Sequence, residues 1–339
     1  MPSSCFVIVC NAADNRLGLY ELDGSGALSH LRDADLPGLE ESKGSYPMTL
    51  GPDRSKLYVA YRGAAPAVLT YAVDAAGRSV EFLGKSPLAD NMAHIATDEG
   101  GRFLLSASYS GGKVSINPIA ADGVAQGPSD TLQAEPNMHC VVPLPGTDAF
   151  FATSLGSDLI LKYRFDAAGK LTLEPERAGS AAGSGPRHFV FHPSMRFGYL
   201  LTEKASTVGV FGFDGKSLTR EPLQSLSIMP DNWRGKCWAA DIRITPDGRF
   251  LYASDRSANS IAGFAVDGAT GLIERRQITF AAPWPRSFNL DPHGRFLLAL
   301  GEASGLMDVF AIDPGTGGLD KRHTIPTGRI PSWVEILAG

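Results

Sequence analysis

The sequence predicts an all-β protein, a seven-bladed β-propeller whose ring is closed by a composite blade made from the N- and C-terminal segments. Three observations lead there. One pattern recurs along the chain: an apolar strand, a tight Pro-Asp-Gly-like turn, a second apolar strand, a polar loop, and a third strand ending in Asp. The 339 residues divide into seven units of roughly 48, the size of one blade. The residues left over at the two ends complement each other.

In chain order the copies are MTLGPDRSKLYVAYRGAAPAVLTYAVD from Met48 to Asp74, IATDEGGRFLLSASYSGGKVSINPIA from Ile95 to Ala120, and CVVPLPGTDAFFATSLGSDLILKYRFD from Cys140 to Asp166. Phe189 to Asp214, Ile242 to Asp267 and Phe288 to Asp313 follow. Each is succeeded by a Gly-containing turn and a short fourth strand, as in Gly271 to Phe280. Short apolar or alternating segments between Gly, Asp and Pro turns, without a long helical period, describe an antiparallel meander. At the ends, Phe6 to Asp23 supplies second and third strands without a first, and Ser332 to Leu337 is a lone strand. Joining them removes exposed sheet edges and locks the ring. A β-sandwich or two separate β-domains would explain neither the six copies in register nor the two fragments, so residues 1–339 are expected to form one propeller domain. One long connection interrupts the rhythm, SLSIMPDNWRGKCW from Ser225 to Trp238, whose two tryptophans read as a packed, not a floppy, lid over one face.

Composition narrows the function classes. With 43% hydrophobic and 20% charged residues, 38 Gly and 23 Pro, the chain is neither disordered, collagenous nor coiled coil. Lys+Arg 31 against Asp+Glu 36 gives a formal charge of −5, so no basic field attracts nucleic acid. Cys5, Cys10, Cys140 and Cys237 show no CxxC pair and no metal-ligand spacing, and read as reduced, mostly buried thiols. The segment MPSSCFVIVC lacks the basic n-region and the apolar length of a signal peptide or membrane span, so no membrane is expected and the expected compartment is the cytoplasm.

A propeller gathers one end of its strands around a central channel, so equivalent positions of successive blades converge. With the turn proline as origin (Pro52, Thr97 in its place, Pro145, Pro193, Pro246, Pro292), the position six residues earlier reads Tyr46, Asn91, His139, Arg187, Ala240 and Arg286, with Ser332 in the composite blade. The position ten residues later reads Arg62, Leu155, Glu203, Arg256 and Glu302, with Tyr109 nearby in the second blade. Charges at the ends of apolar strands need internal partners or an anionic ligand. A histidine, several arginines and a glutamate in one cavity suit a carboxylate- or phosphate-bearing substrate: Arg grips the oxyanion and Glu or His moves a proton. Structural Arg–Glu pairing of Arg187 or Arg286 with Glu203 or Glu302, and a local surface pair of Arg256 with Asp255, are the competing readings. His188 and His192 are assigned to packing and turn-capping. There is no GxSxG, HExxH, Walker or Rossmann sequence, and no metal or cofactor is expected.

The stretches GPRHFVFHP, CWAADIRITPDGRFLYASDR, WPRSFNLDPHGRFLLA and IPSWVEI resemble the seven-bladed propeller lactonase family, which contains bacterial 6-phosphogluconolactonases and carboxy-cis,cis-muconate cycloisomerases. The resemblance extends from the first blade to the last strand, and IMPDNW…WAADIRITPDGR is similar to the bacterial branch. It implies a catalytic trio at His139, Arg187 and Glu203, with a further Arg at Arg256 or Arg286. The turn NMHCVVPLPG departs from the family's SPD pattern, which leaves substrate identity less fixed.

The expected activity is hydrolysis of a sugar-acid δ-lactone, 6-phosphogluconolactone foremost, by a carboxylic ester hydrolase acting on a small anionic lactone. Water would be activated by Glu203 or His139 and the oxyanion met by Arg187, with Arg256, Arg286, Tyr46, Asn91 and Glu302 binding substrate. The alternatives are an unphosphorylated aldarate or uronate-derived lactone, a muconate-type cycloisomerisation, or a protein-binding propeller. The last is disfavoured by the lack of WD and GH signatures. The oligomeric state is not legible.

Overall fold

The computed structural model describes residues 4–40 and 44–339. They form seven antiparallel sheets of four strands each. Blade 1 comprises Met48–Leu50, Lys56–Tyr61, Ala67–Asp74 and Ser79–Pro87; blades 2 to 6 start at Met92, Met138, Pro186, Ala239 and Pro285 and repeat the meander. In blade 7 the innermost strand is Pro331–Ala338 and the outer three are Cys5–Asn11, Arg16–Leu22 and Leu28–Asp35. The two ends are therefore paired as expected, in antiparallel register Phe6 to Leu337, Ile8 to Glu335 and Cys10 to Trp333. A single 3-10 turn, Ala12–Asp14, is the helical element among the described residues.

Alternation along each strand decides which neighbour a side chain meets. Phe6, Ile8 and Cys10 pack with Met48, Leu57 and Val59 of blade 1, while Cys5, Val7 and Val9 of the same strand pack with Leu298, Leu300 and Val309 of blade 6. The same division holds at every boundary, so the core is seven separate wedges, each filled from two adjacent blades. The innermost strands contact one another around the ring, and Pro331–Ala338 closes it against Met48–Leu50.

The turn between first and second strands explains the recurring DGRF-like sequence. Its third position needs a positive φ, met by Gly101, Gly248 and Gly294 and, at a steric cost, by Arg54 and Met195. Asp98 and Asp291 open their turns by accepting the backbone N–H of Phe103 and Phe296 at 2.7 Å. The arginine before each phenylalanine lies over its ring, at 5.6 Å for Arg102 on Phe103 and 5.2 Å for Arg249 on Phe250. These turns occupy one face of the ring. Strand starts and second-to-third loops occupy the other, and all the site residues named above lie on that face.

The turns also correct one register. Asp98-Glu99-Gly100-Gly101-Arg102 stands where other blades have Thr245-Pro246-Asp247-Gly248-Arg249, so the origin of blade 2 is Glu99 and not Thr97. Its channel position is then Ala93, between Met92 and His94, where the ladder shifts register. Asn91 stands two residues earlier, and Tyr109 falls on the other slot without any insertion.

The Ser225–Trp238 segment is packed against the ring at both its ends. Gln224–Ser227 is the fourth strand of blade 4, Ile228 and Met229 are buried in the wedge with blade 5, and Arg275 binds both the Met229 carbonyl and Asp231. Its tip is exposed, whereas Trp238 at its end packs against Trp284, ring centroids 5.1 Å apart.

Candidate active site

Each innermost strand of blades 2 to 7 begins with a β-bulge, which sets extra residues against one partner and breaks the alternation. His139, Arg187, Ala240, Arg286 and Ser332 occupy the bulges of blades 3 to 7. Because the next residue also turns inward, a second ring lies beneath them: His94, Cys140, His188, Asp241, Ser287 and Trp333. Strict alternation would send these away from the channel, which is why His188 reads as packing in the sequence.

Arg187, Glu203 and Arg256 form one cluster. A single oxygen, Glu203 Oε2, accepts from Arg187 Nε at 3.0 Å and Arg256 Nη2 at 2.8 Å. Burial pulls the Glu203 carboxyl upward, but the two guanidinium groups outweigh it and hold it below its ordinary value. Arg187 and Arg256 are 97% and 96% buried at the side chain, and Arg256 is pulled down to about 9, by burial first and then by Arg187. The Arg256 guanidinium also lies 5.0 Å over the Trp238 ring and binds the Trp238 and Ala239 carbonyls. Its expected local pair with Asp255 is absent, because Asp255 binds the Ser206 hydroxyl and the Trp238 and Ala258 N–H groups instead.

Arg187 Nη1 donates to His188 Nε2 at 3.0 Å and to the Ala240 carbonyl. An arginine cannot accept, so His188 presents a lone pair at Nε2 and carries its proton on Nδ1, which it gives to Asp241 Oδ1 at 2.8 Å. Asp241 is fully buried; its other oxygen faces Arg243 at 3.4 Å and the Phe288 N–H at 3.3 Å. His188 is therefore a neutral link holding the arginine, and burial, then Arg187, push it well below its ordinary value. With Nε and Nη1 engaged, Arg187 has Nη2 left for a ligand.

His139 touches this link edge to face, its ring 5.2 Å from His188 and 5.9 Å from Tyr109. Its Nδ1 is enclosed without a hydrogen-bond partner, so any bond to a ligand runs through Nε2. Burial, then the Arg187 charge, keep it neutral. Across the channel mouth, Arg286 pairs with Glu302 at 3.5 Å and donates to Ser45 Oγ at 3.0 Å. Ser45 and Arg62, beside that pair, are the residues the sequence reading passed over; Arg62 stands in a slot, but Ser45 precedes blade 1 and carries no periodic signal.

Two expected substrate contacts are corrected. Tyr46 is fully buried in the wedge between blades 7 and 1, and its hydroxyl donates to Asn15 Oδ1 at 2.9 Å, so it is core and not channel wall. Asn91 accepts the Gly63 N–H at 2.8 Å and ties a blade 1 loop, as its displaced register implies. His192 behaves as read, its Nδ1 against Ser194 Oγ at 2.8 Å in a turn. Among the described residues no group of His, Cys, Asp and Glu is arranged to hold a metal ion, and no helix is long and apolar enough to cross a membrane.

A propeller with a buried Arg–Glu–Arg cluster, a neutral histidine and further arginines at one channel mouth has groups able to bind an oxyanion and to move a proton, the chemistry a lactone-hydrolysing propeller enzyme requires. The family model described as "Lactonase, 7-bladed beta-propeller" matches residues 6–336, and the chain belongs to this family. It is 36% identical over 335 residues to a 6-phosphogluconolactonase of Serratia proteamaculans, covering 98% of each chain. A 6-phosphogluconolactonase of Pectobacterium carotovorum is 37% identical over 280 residues, 82% of each. Among solved structures, a periplasmic gluconolactonase of Pseudomonas aeruginosa superposes with a TM-score of 0.88 at 26% identity, covering 99% of each chain. A putative 6-phosphogluconolactonase of Bacteroides fragilis also reaches 0.88, at 24% identity, which speaks to the fold alone.

Proposed function

We propose that this protein hydrolyses 6-phosphogluconolactone, opening the δ-lactone to the free acid, with His139, Arg187 and Glu203 as catalytic residues. The observation that carries the reading is the shared Glu203 oxygen, which fixes two arginines and an ionised carboxylate at one point of the channel mouth. It agrees with the substrate that names the two enterobacterial relatives.

In this mechanism Glu203, whose second oxygen carries no arginine, takes a proton from water as the oxygen attacks the lactone carbonyl carbon. Negative charge collects on the carbonyl oxygen, where Arg187 Nη2 donates. The tetrahedral intermediate collapses by breaking the bond to the ring oxygen, which leaves as a hydroxyl after receiving the proton that Glu203 took from water, while neutral His139 holds that oxygen by a hydrogen bond from Nε2. Glu203 is thereby returned ionised and His139 stays neutral throughout. Proton transfer by a placed side chain contributes about 10²–10⁴-fold, and one oxyanion donor about 10²–10³-fold. These figures are ample for a δ-lactone, which opens unaided at a measurable rate. Cytoplasmic location is part of the same proposal and is supported by four unpaired thiols at Cys5, Cys10, Cys140 and Cys237.

The test is proton release from freshly prepared 6-phosphogluconolactone, gluconolactone and an aldarate lactone, each corrected for spontaneous opening. Turnover of the phosphorylated lactone well above the others is expected. Turnover of none of them, or of an unphosphorylated lactone in preference to the phosphorylated one, would overturn the assignment.

A further inference from the structure

The channel mouth has two cationic corners, and only one is neutralised by the trio. At blades 4 and 5, Arg187 and Arg256 share the ionised Glu203. At blades 6 and 1, Arg286 Nη2 and Arg62 Nη1 converge instead on a neutral acceptor, the Ser45 hydroxyl, at 3.0 and 3.4 Å. The two guanidinium nitrogens are thus no further apart than those two distances combined. Arg62 Nε is enclosed by protein without a hydrogen-bond partner. Among the described residues the carboxylates beside this corner are weakly placed: Glu302 faces Arg286 Nε at 3.5 Å, and Asp90 is engaged by Lys113 at 3.4 Å.

Two like charges bridged by one hydroxyl in a half-buried corner repel each other; Glu302 offsets part of that cost from the Arg286 side, and an anion entering between the two arginines offsets the rest. Burial and then Arg286 lower the affinity of Arg62 for its proton, in keeping with that repulsion. Among the described residues, each arginine keeps one terminal nitrogen without a partner, Nη2 on Arg62 and Nη1 on Arg286, given the bonds made by the others. Guanidinium pairs of this kind match the tetrahedral oxygens of a phosphate better than the single plane of a carboxylate.

We infer that Arg62, Arg286 and Ser45 form a phosphate-ester subsite that selects phosphorylated lactones, separate from the corner where the ester bond is broken. The inference rests on the lactonase reading for its substrate, but the anion site stands on its own geometry. A lactone carrying its phosphate on the exocyclic carbon holds carbonyl and phosphate at opposite ends. Across the mouth, the carbonyl meets Arg187 while the phosphate meets Arg62 and Arg286.

The experiment compares wild type with Arg62→Met and Arg62→Lys in two readouts. In turnover, Arg62→Met should lower the kcat/KM ratio of phosphorylated to unphosphorylated lactone on the order of 10²-fold, through KM, with Arg62→Lys between the two. In thermal unfolding, inorganic phosphate at millimolar concentration should raise the wild-type midpoint and leave that of Arg62→Met unmoved. Without phosphate, Arg62→Met should unfold at a higher temperature than wild type, because a repulsion has been removed. An equal loss on both lactones, or the same phosphate-induced shift in both proteins, would overturn the subsite. If wild type turned over no lactone yet phosphate stabilised it through Arg62, the lactonase reading would fail while the subsite stood.

Discussion

His188 Nδ1 lies 2.8 Å from Asp241 Oδ1 across the boundary between blades 4 and 5, and this contact sets the direction of Arg187. It fixes the imidazole tautomer, so that Nε2 can only accept from the arginine. Replacing Asp241 with Asn frees the ring to flip its proton, and the guanidinium loses one of its anchors. A displacement on the scale of 1 Å costs about 10²-fold in rate. Asp241→Asn and His188→Ala should therefore lower kcat by tens- to a hundredfold with KM within a fewfold of wild type. A fall confined to KM, or unchanged kcat in both, would show that the pair does not position Arg187; circular dichroism and unfolding midpoints identify variants that simply fail to fold.

Glu203 and Arg187 are expected to be indispensable to turnover in different ways. Glu203→Gln retains a side chain of the same shape, but it leaves two buried arginines without their anion and removes the base, so kcat should fall about 10²–10⁴-fold. Arg187→Ala should fall comparably, as one oxyanion donor is lost. Pre-steady-state proton release measures both. Activity within tenfold of wild type in either variant would remove that residue from the mechanism.

The channel histidines make stability depend on pH in a specific direction. His94, His139 and His188 all have their affinity for a proton lowered in the folded state, with burial as the largest cause, and His94 reaches about 3. A depressed value means the unfolded chain binds the proton first, so this stabilisation is complete above about 6.5 and is lost as pH falls. Glu335 has the opposite sign: burial raises it to about 7, so its proton is held by the folded state and stability falls as pH rises from its ordinary 4.5 towards 7. Between those limits three histidines oppose one glutamate, and the balance favours loss of stability on acidification. Each uncompensated proton contributes about 1.4 kcal/mol per pH unit. Urea titrations from pH 4.5 to 8 should show stability declining below 6.5, and Glu335→Gln should steepen that decline. A flat profile in the wild type would refute the neutral-histidine assignment.

Ring closure offers a test of the fold that needs no substrate. Gly339 N–H donates to the Ser4 carbonyl at 3.0 Å, so the first and last described residues are already adjacent. A circular permutant joining them by a short linker, with new ends opened in the exposed Asp122 turn, should fold and unfold cooperatively. Deleting residues 331–339 should instead leave Cys5–Asn11 as a bare apolar edge and yield aggregated protein. Soluble, cooperatively folded protein from the deletion would mean that the composite blade is dispensable.

The legibility of this protein in its sequence divides along the β-bulge. Where period and turn chemistry suffice, the reading is direct: the segments Phe6 to Asp23 and Ser332 to Leu337 join in one blade, and Arg187, Glu203 and Arg256 meet because the repeat brings their strand ends to one channel mouth. Blade 2 escaped because Glu99 replaces the turn proline, which moved the origin by two residues and put Asn91 where Ala93 stands. Tyr46 occupies its slot correctly, yet its ring turns into the wedge between blades 7 and 1, since a large aromatic gains more from burial than from the channel.

What the sequence by itself determined was the number of blades, the closure by both ends and the list of strand ends that converge, because these follow from periodicity, and periodicity is written in residue type. Which way each side chain points once there was decided by tertiary structure. A bulge reverses the facing of the residue beside it, so His188 and Asp241 entered the channel against their alternation. The partnering of Ser45 with Arg286 depends on residues 241 positions apart being brought together across the ring. Charge pairing is a property of distance, and distance across the ring exists only after the ring has closed.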